Sequence, residues 1–195
     1  MLSVLFGESG DNLAHLVRFY APTATRLLDV TYGAGTLPRR SPIPVVGVDK
    51  DPTSRAPVLA DAGRLPFAPG SFAVACYDPP YLYGSKAMHG GPVGQKTWQP
   101  QRSTWKTPND LIAMSAAVAS ELACILRPAG VVIVKIMDSR FKGRLIRNHD
   151  IVSAAFESNE FVLLDQLVYL RTSIGSFVNL RSAQSAHGYF LIFRK

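Results

Sequence analysis

Four consecutive residues, Asp78-Pro79-Pro80-Tyr81, combine the groups in this sequence that are best suited to chemistry. They follow an apolar run, Phe72–Tyr77, that is typical of a buried strand. Because each proline lacks an N–H and fixes φ, the chain must leave the sheet at Asp78 in a stiff turn. Such a turn presents a carboxylate, backbone carbonyls and an aromatic ring. These groups could hold the N–H bonds of an amino group on a flat ring while the aromatic side chain stacks on its face.

Further candidate residues stand where other strand-like runs end. Arg26–Thr31 fits a central strand and leads into Tyr32–Thr36, whose glycines allow a sharp turn and close approach of the backbone to a ligand. Two more strand candidates, Pro44–Asp49 and Pro57–Asp61, each end in an aspartate. Ligands of open α/β sheets bind outside the carboxyl ends of the strands, so this organisation predicts a ligand site at one edge of a sheet.

The glycine turn and Asp49 indicate the kind of ligand. Backbone approach through glycines, with an acid at the end of the next strand, fits the binding of a ribose through its hydroxyls. The third glycine of the dinucleotide fingerprint is missing, and the sequence contains no Gly-Lys-Ser/Thr phosphate loop. A ligand without phosphates is therefore favoured. Asp61 either accepts a hydrogen bond from an exocyclic amine or caps a turn.

The remaining pattern predicts the elements that hold these residues in place. A helix is expected to begin at Thr107, a threonine N-cap followed by proline, and to end at Pro128–Gly130. The continuous apolar run Val131–Ile136 fits a buried parallel strand. This alternation of strands and helices favours a single α/β domain over residues 1–195. The other predicted elements are helices over Leu13–Tyr20 and His149–Ser158, and strands over Phe161–Leu170 and Gly188–Phe193.

A long basic loop, residues 82–107, follows the tetrapeptide. It contains both tryptophans of the chain and no acidic residue. It could cover a base and grip phosphate, or be a solvated loop whose tryptophans pack on the domain. A second basic stretch, Arg140–Arg147, could follow a nucleic-acid backbone or form a solvated face. The candidate nucleic-acid contacts are Lys86, Trp98, Arg102, Trp105, Lys106, Lys142 and Arg144.

Other ionisable residues give weaker signals. Lys135 and Asp138 could lie beside the site, but we expect them to satisfy one another or to cap a turn. The histidines show no metal-ligand spacing with a cysteine, so no metal site is predicted. Cys76 lies inside an apolar strand, which is the wrong environment for an activated thiolate.

Composition limits the class of protein and the kind of partner. The chain has 195 residues, of which 47% are hydrophobic and 18% charged, as in a folded single domain. Its net charge of +7 favours a polyanionic partner, with nucleic acid the first candidate. The two cysteines, Cys76 and Cys124, are expected to be reduced core residues of a cytoplasmic protein. Neither a signal peptide nor a membrane span is expected.

Four segments in this order resemble the class I S-adenosylmethionine-dependent methyltransferases. More narrowly, they resemble the amino-methylating DNA methyltransferases, whose catalytic tetrapeptide is Asp/Asn/Ser-Pro-Pro-Tyr/Phe. The segments are Asp29–Gly35, Gly47–Asp49, Ala60–Ala62 and Asp78–Tyr81, and the resemblance extends to Leu126–Gly130 and His187–Lys195. It implies a Rossmann-like methyltransferase fold: a mostly parallel seven-stranded sheet with helices on both faces and an antiparallel last strand. A separate target-recognition domain, which many such enzymes have, is not evident.

The resemblance also implies a role for each matching residue. Asp49 would bind the ribose hydroxyls of S-adenosylmethionine, and Asp61 its adenine amine. Asp78 and the carbonyl of Pro79 would hold the target amino group while Tyr81 stacks on the base. The implied catalytic residues are Asp78, Pro79, Pro80 and Tyr81. The implied cofactor site comprises Asp29, Thr31, Tyr32, Gly33, Gly35, Asp49, Asp61, Ala62 and Asp78.

The function expected from this resemblance is methyl transfer to the exocyclic amino group of a DNA base, with adenine N6 preferred over cytosine N4. A base inside a duplex must be flipped out to reach such a pocket. Methylation of carbon 5 of cytosine is not indicated, because the Pro-Cys motif that supplies its nucleophile is absent. Two alternatives stay open: an RNA base amino-methyltransferase, and a non-catalytic subunit that binds nucleic acid. A partner chain could supply target recognition.

Overall fold

The computed structural model describes residues 3–84, 104–170 and 187–195. The predicted contacts Lys86, Trp98 and Arg102 lie outside the described residues. The strands are β1 Val4–Leu5, β2 Leu27–Asp29, β3 Val45–Asp49, β4 Val58–Leu59, β5 Phe72–Tyr77, β6 Leu82–Tyr83, β7 Thr104–Trp105, β8 Leu126–Ile136, β9 Ser139–Phe141, β10 Arg144–Ile146, β11 Val162–Leu170 and β12 His187–Arg194. The helices are α1 Ser9–Tyr20, α2 Pro108–Ile125 and α3 Asn148–Glu157, with a 3₁₀ turn at Pro38–Arg40.

Eight of these strands form one sheet in the order β1-β11-β12-β8-β5-β2-β3-β4. Strand β12 is antiparallel to both of its neighbours, and the other pairs in the sheet are parallel. The predicted α/β class and mostly parallel sheet are thus confirmed. The sheet has eight strands and not seven, because Val4–Leu5 pairs with the edge of β11. Two residues are too few to produce a period-2 signal in the sequence.

The helices cover both faces of this sheet, as predicted. Along β5, Val74 and Cys76 face the core shared with α1, whereas Ala75 and Tyr77 face the core shared with α2 and α3. This is the alternation that a strand buried on both sides requires. Among the described helices, none has the length and apolar character that a membrane crossing needs.

Helix α2 begins where the sequence predicts. Thr107 and Asp110 form a capping box, in which the Thr107 N–H donates to an Asp110 carboxylate oxygen at 2.7 Å. The helix ends at Ile125, earlier than the predicted Pro128–Gly130, and β8 begins immediately after it. The residue before a proline is disfavoured in helical conformation, so the chain is already extended when it reaches Pro128.

One local feature was not predicted, and one prediction is wrong. The basic stretch around Lys142 is a β-hairpin, β9–β10, whose turn residues Lys142 and Gly143 both have positive φ, at 49° and 79°. Cys124 is exposed and is not a core residue, because it lies on the outer side of α2, whereas Cys76 is buried. Both thiols are free.

Candidate active site

A cavity of about 990 Å³ opens at the carboxyl ends of β2, β3 and β5. Its volume suits a nucleoside-sized ligand with room for a second group. Most of the predicted site residues line it, namely Thr31, Tyr32, Gly33, Asp49, Ala62, Asp78, Pro79, Pro80 and Tyr81. Three predicted cofactor residues, Asp29, Gly35 and Asp61, do not line it. The structure therefore brings nine of the twelve predicted catalytic and cofactor residues to one cavity, and their roles stay predictions.

Asp29 lies beneath the glycine turn, with only 1% of its surface exposed. One carboxylate oxygen accepts a hydrogen bond from the Thr31 N–H at 3.0 Å and so supports the start of the turn. Burial raises the pKa of Asp29 to about 7; the Thr31 N–H bond opposes this, while the charges of Asp78 and Asp49 add to it. A carboxyl group that is neutral over part of the physiological pH range thus underlies the turn.

Gly35 and Gly47 are glycines because the ring of Tyr32 occupies the space beside them. A Cβ built on Gly35 would lie 2.6 Å from the Tyr32 ring, and one on Gly47 would lie 2.3 Å from it. Gly35 also has φ of +69°, in the region that favours glycine. The absence of a side chain at these two glycines therefore leaves room for Tyr32, whose ring packs on the backbone of β3 at Gly47.

Asp49 joins the glycine turn to the end of β3. One carboxylate oxygen accepts from the Gly33 N–H at 2.7 Å, and the other accepts from the Asp51 N–H at 2.8 Å. A carboxylate oxygen can accept more than one hydrogen bond, so both retain capacity for ligand hydroxyls. Asp49 thus fixes the cavity wall and still presents acceptors to the cavity.

Asp61 is exposed, and its carboxylate accepts from the Gly63 N–H at 2.8 Å. The turn cap that the sequence left open as an alternative is therefore formed. The neighbouring Ala62 is buried and lines the cavity. Recognition of an adenine amine by Asp61 stays a prediction.

The tetrapeptide is held by three hydrogen bonds from distant parts of the chain. The Asp78 N–H donates to the Thr31 hydroxyl at 2.8 Å, and the Trp105 indole N–H donates to the Pro80 carbonyl at 2.6 Å. The Asn148 amide donates to the Tyr81 carbonyl at 3.1 Å. Within residues 3–84, 104–170 and 187–195, no donor contacts the Pro79 carbonyl. Of these three carbonyls, that of Pro79 is therefore the one left to a ligand.

Asn148 is a positioning residue that the sequence analysis missed. Its buried amide also donates to the Met137 carbonyl at 2.7 Å and to the Ser139 hydroxyl at 3.2 Å, and its oxygen accepts from the Tyr83 hydroxyl. It thus ties the segment after the tetrapeptide to the end of β8. The only signal in the sequence was an asparagine at the start of a predicted helix, where a cap is the ordinary interpretation.

Lys135 forms an ion pair with Asp78 inside the cavity. Its Nζ lies 3.0 and 3.1 Å from the two carboxylate oxygens. The prediction that Lys135 and Asp138 satisfy one another is wrong: Asp138 contacts His149 Nδ1 at 2.7 Å. The reason is the parallel pairing of β5 with β8, which sets Tyr77 opposite Val134 and brings the next residues of the two strands together.

The Asp78 carboxylate acts on the charge of Lys135. Burial by itself lowers the pKa of Lys135, but the Asp78 carboxylate, with smaller contributions from Tyr169 and Tyr81, outweighs it and raises the pKa. The ammonium therefore stays charged across the physiological range.

Four predicted nucleic-acid contacts lie in the described residues. Trp105 lines the cavity, whereas Lys106, Lys142 and Arg144 do not. Trp105 packs against the core as well as bonding to Pro80. Lys106, Lys142 and Arg144 are exposed, and the Lys142 ammonium lies 5.4 Å from the centre of the Phe141 ring. The three basic residues are thus free to meet a partner at the surface.

For the methyl-transfer activity that the resemblance implies, replacing Trp105 with phenylalanine should lower the turnover number about fivefold, since one hydrogen bond of about 1 kcal/mol to Pro80 is lost while an aromatic ring is kept. Cofactor affinity, measured by calorimetry on the same protein, should not change. A normal turnover number in Trp105→Phe would show that the Pro80 bond does not hold the tetrapeptide in its working geometry.

Known proteins resemble this chain in fold. No family model matches the sequence, and no curated protein matches it. A solved S-adenosylmethionine-dependent methyltransferase from Methanosarcina mazei aligns with a TM-score of 0.59 and 12% identity over 92% of this chain and 96% of that one. The chain has the Rossmann-like methyltransferase fold.

Two other structures share this methyltransferase fold. A Burkholderia thailandensis 1,6-didemethyltoxoflavin-N1-methyltransferase, solved with bound 1,6-didemethyltoxoflavin and S-adenosylhomocysteine, aligns with a TM-score of 0.57 and 13% identity over 96% of this chain and 78% of that one. TrmN from Thermus thermophilus aligns with a TM-score of 0.55 and 17% identity over 94% of this chain and 48% of that one. At such identities the likeness establishes the fold alone.

Proposed function

We propose that the protein is an S-adenosylmethionine-dependent methyltransferase that acts on the exocyclic amino group of a nucleic-acid base, with DNA as the preferred polymer and adenine N6 preferred over cytosine N4. The observation that carries the proposal is the pair of acceptors at the cavity: the Asp78 carboxylate and the Pro79 carbonyl, beside the ring of Tyr81. The methyltransferase fold of the chain supports the choice of reaction.

The residues around the cavity fit this cofactor. The Gly33 turn brings backbone close to a ligand, and Asp49 offers acceptors for ribose hydroxyls. Ala62, which lines the cavity, would give the adenine end an apolar contact, and the sequence contains no Gly-Lys-Ser/Thr phosphate loop that would indicate a different ligand. When bound, S-adenosylmethionine supplies an electrophilic methyl group, which an amine captures as the carbon–sulfur bond breaks and its electron pair stays on sulfur.

The two acceptors, Asp78 and the Pro79 carbonyl, would make the amino nitrogen of the base a better nucleophile. The amino nitrogen of adenine or cytosine is a poor nucleophile because its lone pair is delocalised into the ring. Asp78 and the Pro79 carbonyl would hold its two N–H bonds, which favours a tetrahedral nitrogen and stabilises the developing positive charge. Tyr81, which is half-buried at the cavity, would stack on the base and orient it. After transfer the nitrogen loses one proton to the solvent.

The β9–β10 hairpin supports a polymeric substrate. It carries the exposed Arg140, Lys142 and Arg144. Its Phe141 ring packs edge-on against the ring of Tyr83, with 5.6 Å between the ring centres, and Tyr83 follows the tetrapeptide by two residues. A phosphate backbone lying along the hairpin would therefore present a base near Asp78. Exposed basic side chains of this kind position a nucleic acid without reading its sequence.

The deciding experiment is transfer of a tritiated methyl group to unmethylated DNA and, in parallel, to RNA, followed by mass spectrometry of the nucleosides. Label in N6-methyladenine of DNA would support the proposal in full. Label in RNA alone would replace DNA by RNA, which is the second candidate. S-adenosylmethionine binding by calorimetry without transfer to either polymer would favour a non-catalytic subunit, and no binding at all would refute the enzyme.

The hairpin's role gives a separate prediction. The double variant Lys142→Glu/Arg144→Glu should raise the KM for long DNA about tenfold at low salt and reduce the slope of log affinity against log salt by about 2, because about two phosphate contacts are lost. The matched control is Arg127→Glu/Arg194→Glu, which makes the same charge change at exposed residues near the start of β8 and the end of β12. Equal effects in both variants would mean that only net charge matters.

A further inference from the structure

Lys135 is a charged residue of the cavity wall to which the proposed reaction assigns no part. Its side chain is 12% exposed, and it reaches both oxygens of Asp78, whose side chain is 23% exposed. The ammonium also lies 5.9 Å from the centre of the Tyr81 ring and 6.0 Å from that of Tyr169. Both residues of the pair thus line the cavity, and two aromatic rings lie near the ammonium.

Stability does not explain an ion pair in this place. Taking an ammonium and a carboxylate out of water costs several kcal/mol for each ion, and apolar replacements of buried pairs are often neutral or stabilising. On the face of the sheet that Asp78 and Lys135 share, the preceding side chains of β5 and β8, Val74, Val131 and Ile133, are buried and apolar. A charge pair at the end of these strands therefore points to a use in the cavity.

We propose that Lys135 is a positioning residue that holds the Asp78 carboxylate ionised and in a fixed plane, as the acceptor for the target amino group. This inference rests on the proposed function. Two points fix the aspartate: its N–H is bound to the Thr31 hydroxyl, and its two oxygens are bound to one ammonium. Each oxygen can accept a further hydrogen bond, so the pairing leaves room for an amino group.

The other groups near Asp78 make a counter-charge necessary. Asp29 on β2 acts on Asp78 with a charge of the same sign when it is ionised, and the Cys76 thiol on β5 lies close to both acids. Thr31 contributes a neutral hydroxyl, and Lys135 on β8 is the cation that faces Asp78 among the described residues. Without Lys135 the half-buried carboxylate would lie near Asp29 with no counter-charge from the described residues.

The test is a cycle of three variants: Lys135→Met, Asp78→Asn and the double variant. Lys135→Met keeps most of the side-chain volume and removes the charge. We expect it to lower the turnover number at least about tenfold near neutral pH, to leave the Kd for S-adenosylmethionine within about twofold, and to move the acid limb of the activity profile to higher pH. The double variant should be more active than Lys135→Met, because the asparagine oxygen is an acceptor that needs no counter-charge.

A second measurement, the melting temperature, does not depend on methyl transfer. The melting temperature of Lys135→Met, relative to that of the parent protein, should fall by roughly 5 °C between about pH 5 and about pH 8, as the unpaired carboxylate becomes charged. The double variant, which has no carboxylate there, should lack this dependence. Loss of methyl transfer by the parent protein on every substrate would refute the proposed function, whereas the melting cycle would still decide whether Lys135 keeps Asp78 ionised. A flat difference in melting temperature, or Lys135→Met with the parent's activity profile, would overturn the inference.

Discussion

Replacing Asp78 with alanine is expected to lower the turnover number by about a hundredfold to a thousandfold, the usual cost of removing one preorganised group that stabilises developing charge. Pro79 would then be the single acceptor for the target amine. The Kd for S-adenosylmethionine should change by no more than about twofold, because Asp49 and the Gly33 turn are held by other hydrogen bonds. Single-turnover methyl transfer and calorimetry on the same preparation measure the two quantities.

The asparagine variant is the natural companion to the alanine variant. Asp78→Asn keeps one acceptor oxygen and leaves the Lys135 ammonium without a counter-charge, so it should fall between the parent protein and Asp78→Ala in turnover. Equal cofactor binding in all three proteins shows that the cavity is folded. An Asp78→Ala protein with full activity would remove Asp78 from the reaction.

The second large effect concerns stability and pH, through Asp29. Burial raises its pKa from 3.8 to about 7, so the folded protein binds this proton more tightly than the unfolded chain does. Its contribution to the free energy of unfolding is therefore fully present below about pH 4 and is lost as the pH rises through about 7. Over that window the parent protein should lose about 4 kcal/mol relative to Asp29→Asn, whose amide oxygen can still accept from Thr31.

Chemical denaturation of both proteins across this pH range measures the difference, and other titrating groups cancel in the subtraction. Asp61→Asn is the matched control, because Asp61 follows β4 at the same end of the sheet and is exposed. Its difference from the parent should stay within about 1 kcal/mol at every pH. A constant difference between the parent protein and Asp29→Asn would show that Asp29 keeps its charge in the folded state.

The sequence was sufficient wherever the signal is local. The apolar run Phe72–Tyr77 is a strand with the predicted bounds, and the two prolines end it where they must. The acids and glycines at the ends of β2 and β3 could be placed at one edge of the sheet, since parallel strands bring their carboxyl ends together. Gly33 and Asp49 line the cavity, as that rule predicts.

The contacts that set the geometry of the tetrapeptide could not be predicted, because they join residues far apart in the chain. Lys135 and Asp78 are separated by 57 positions, and Asn148 and Tyr81 by 67. Partners at such separations depend on which strands become neighbours and in what register, which no local pattern encodes. For the same reason the sequence paired Lys135 with the nearby Asp138.

The pairing of β5 with β8 has a consequence for folding as well as for chemistry. Side chains alternate between the faces of a strand, so a slip of one residue would turn Lys135 away from Asp78 and move the apolar side chains of β8 to the wrong core. In such a misaligned sheet the carboxylate would be buried without a counter-charge. The ion pair thus depends on strand register: it forms in the observed alignment of β5 and β8, and a shift of one residue would separate the two charges.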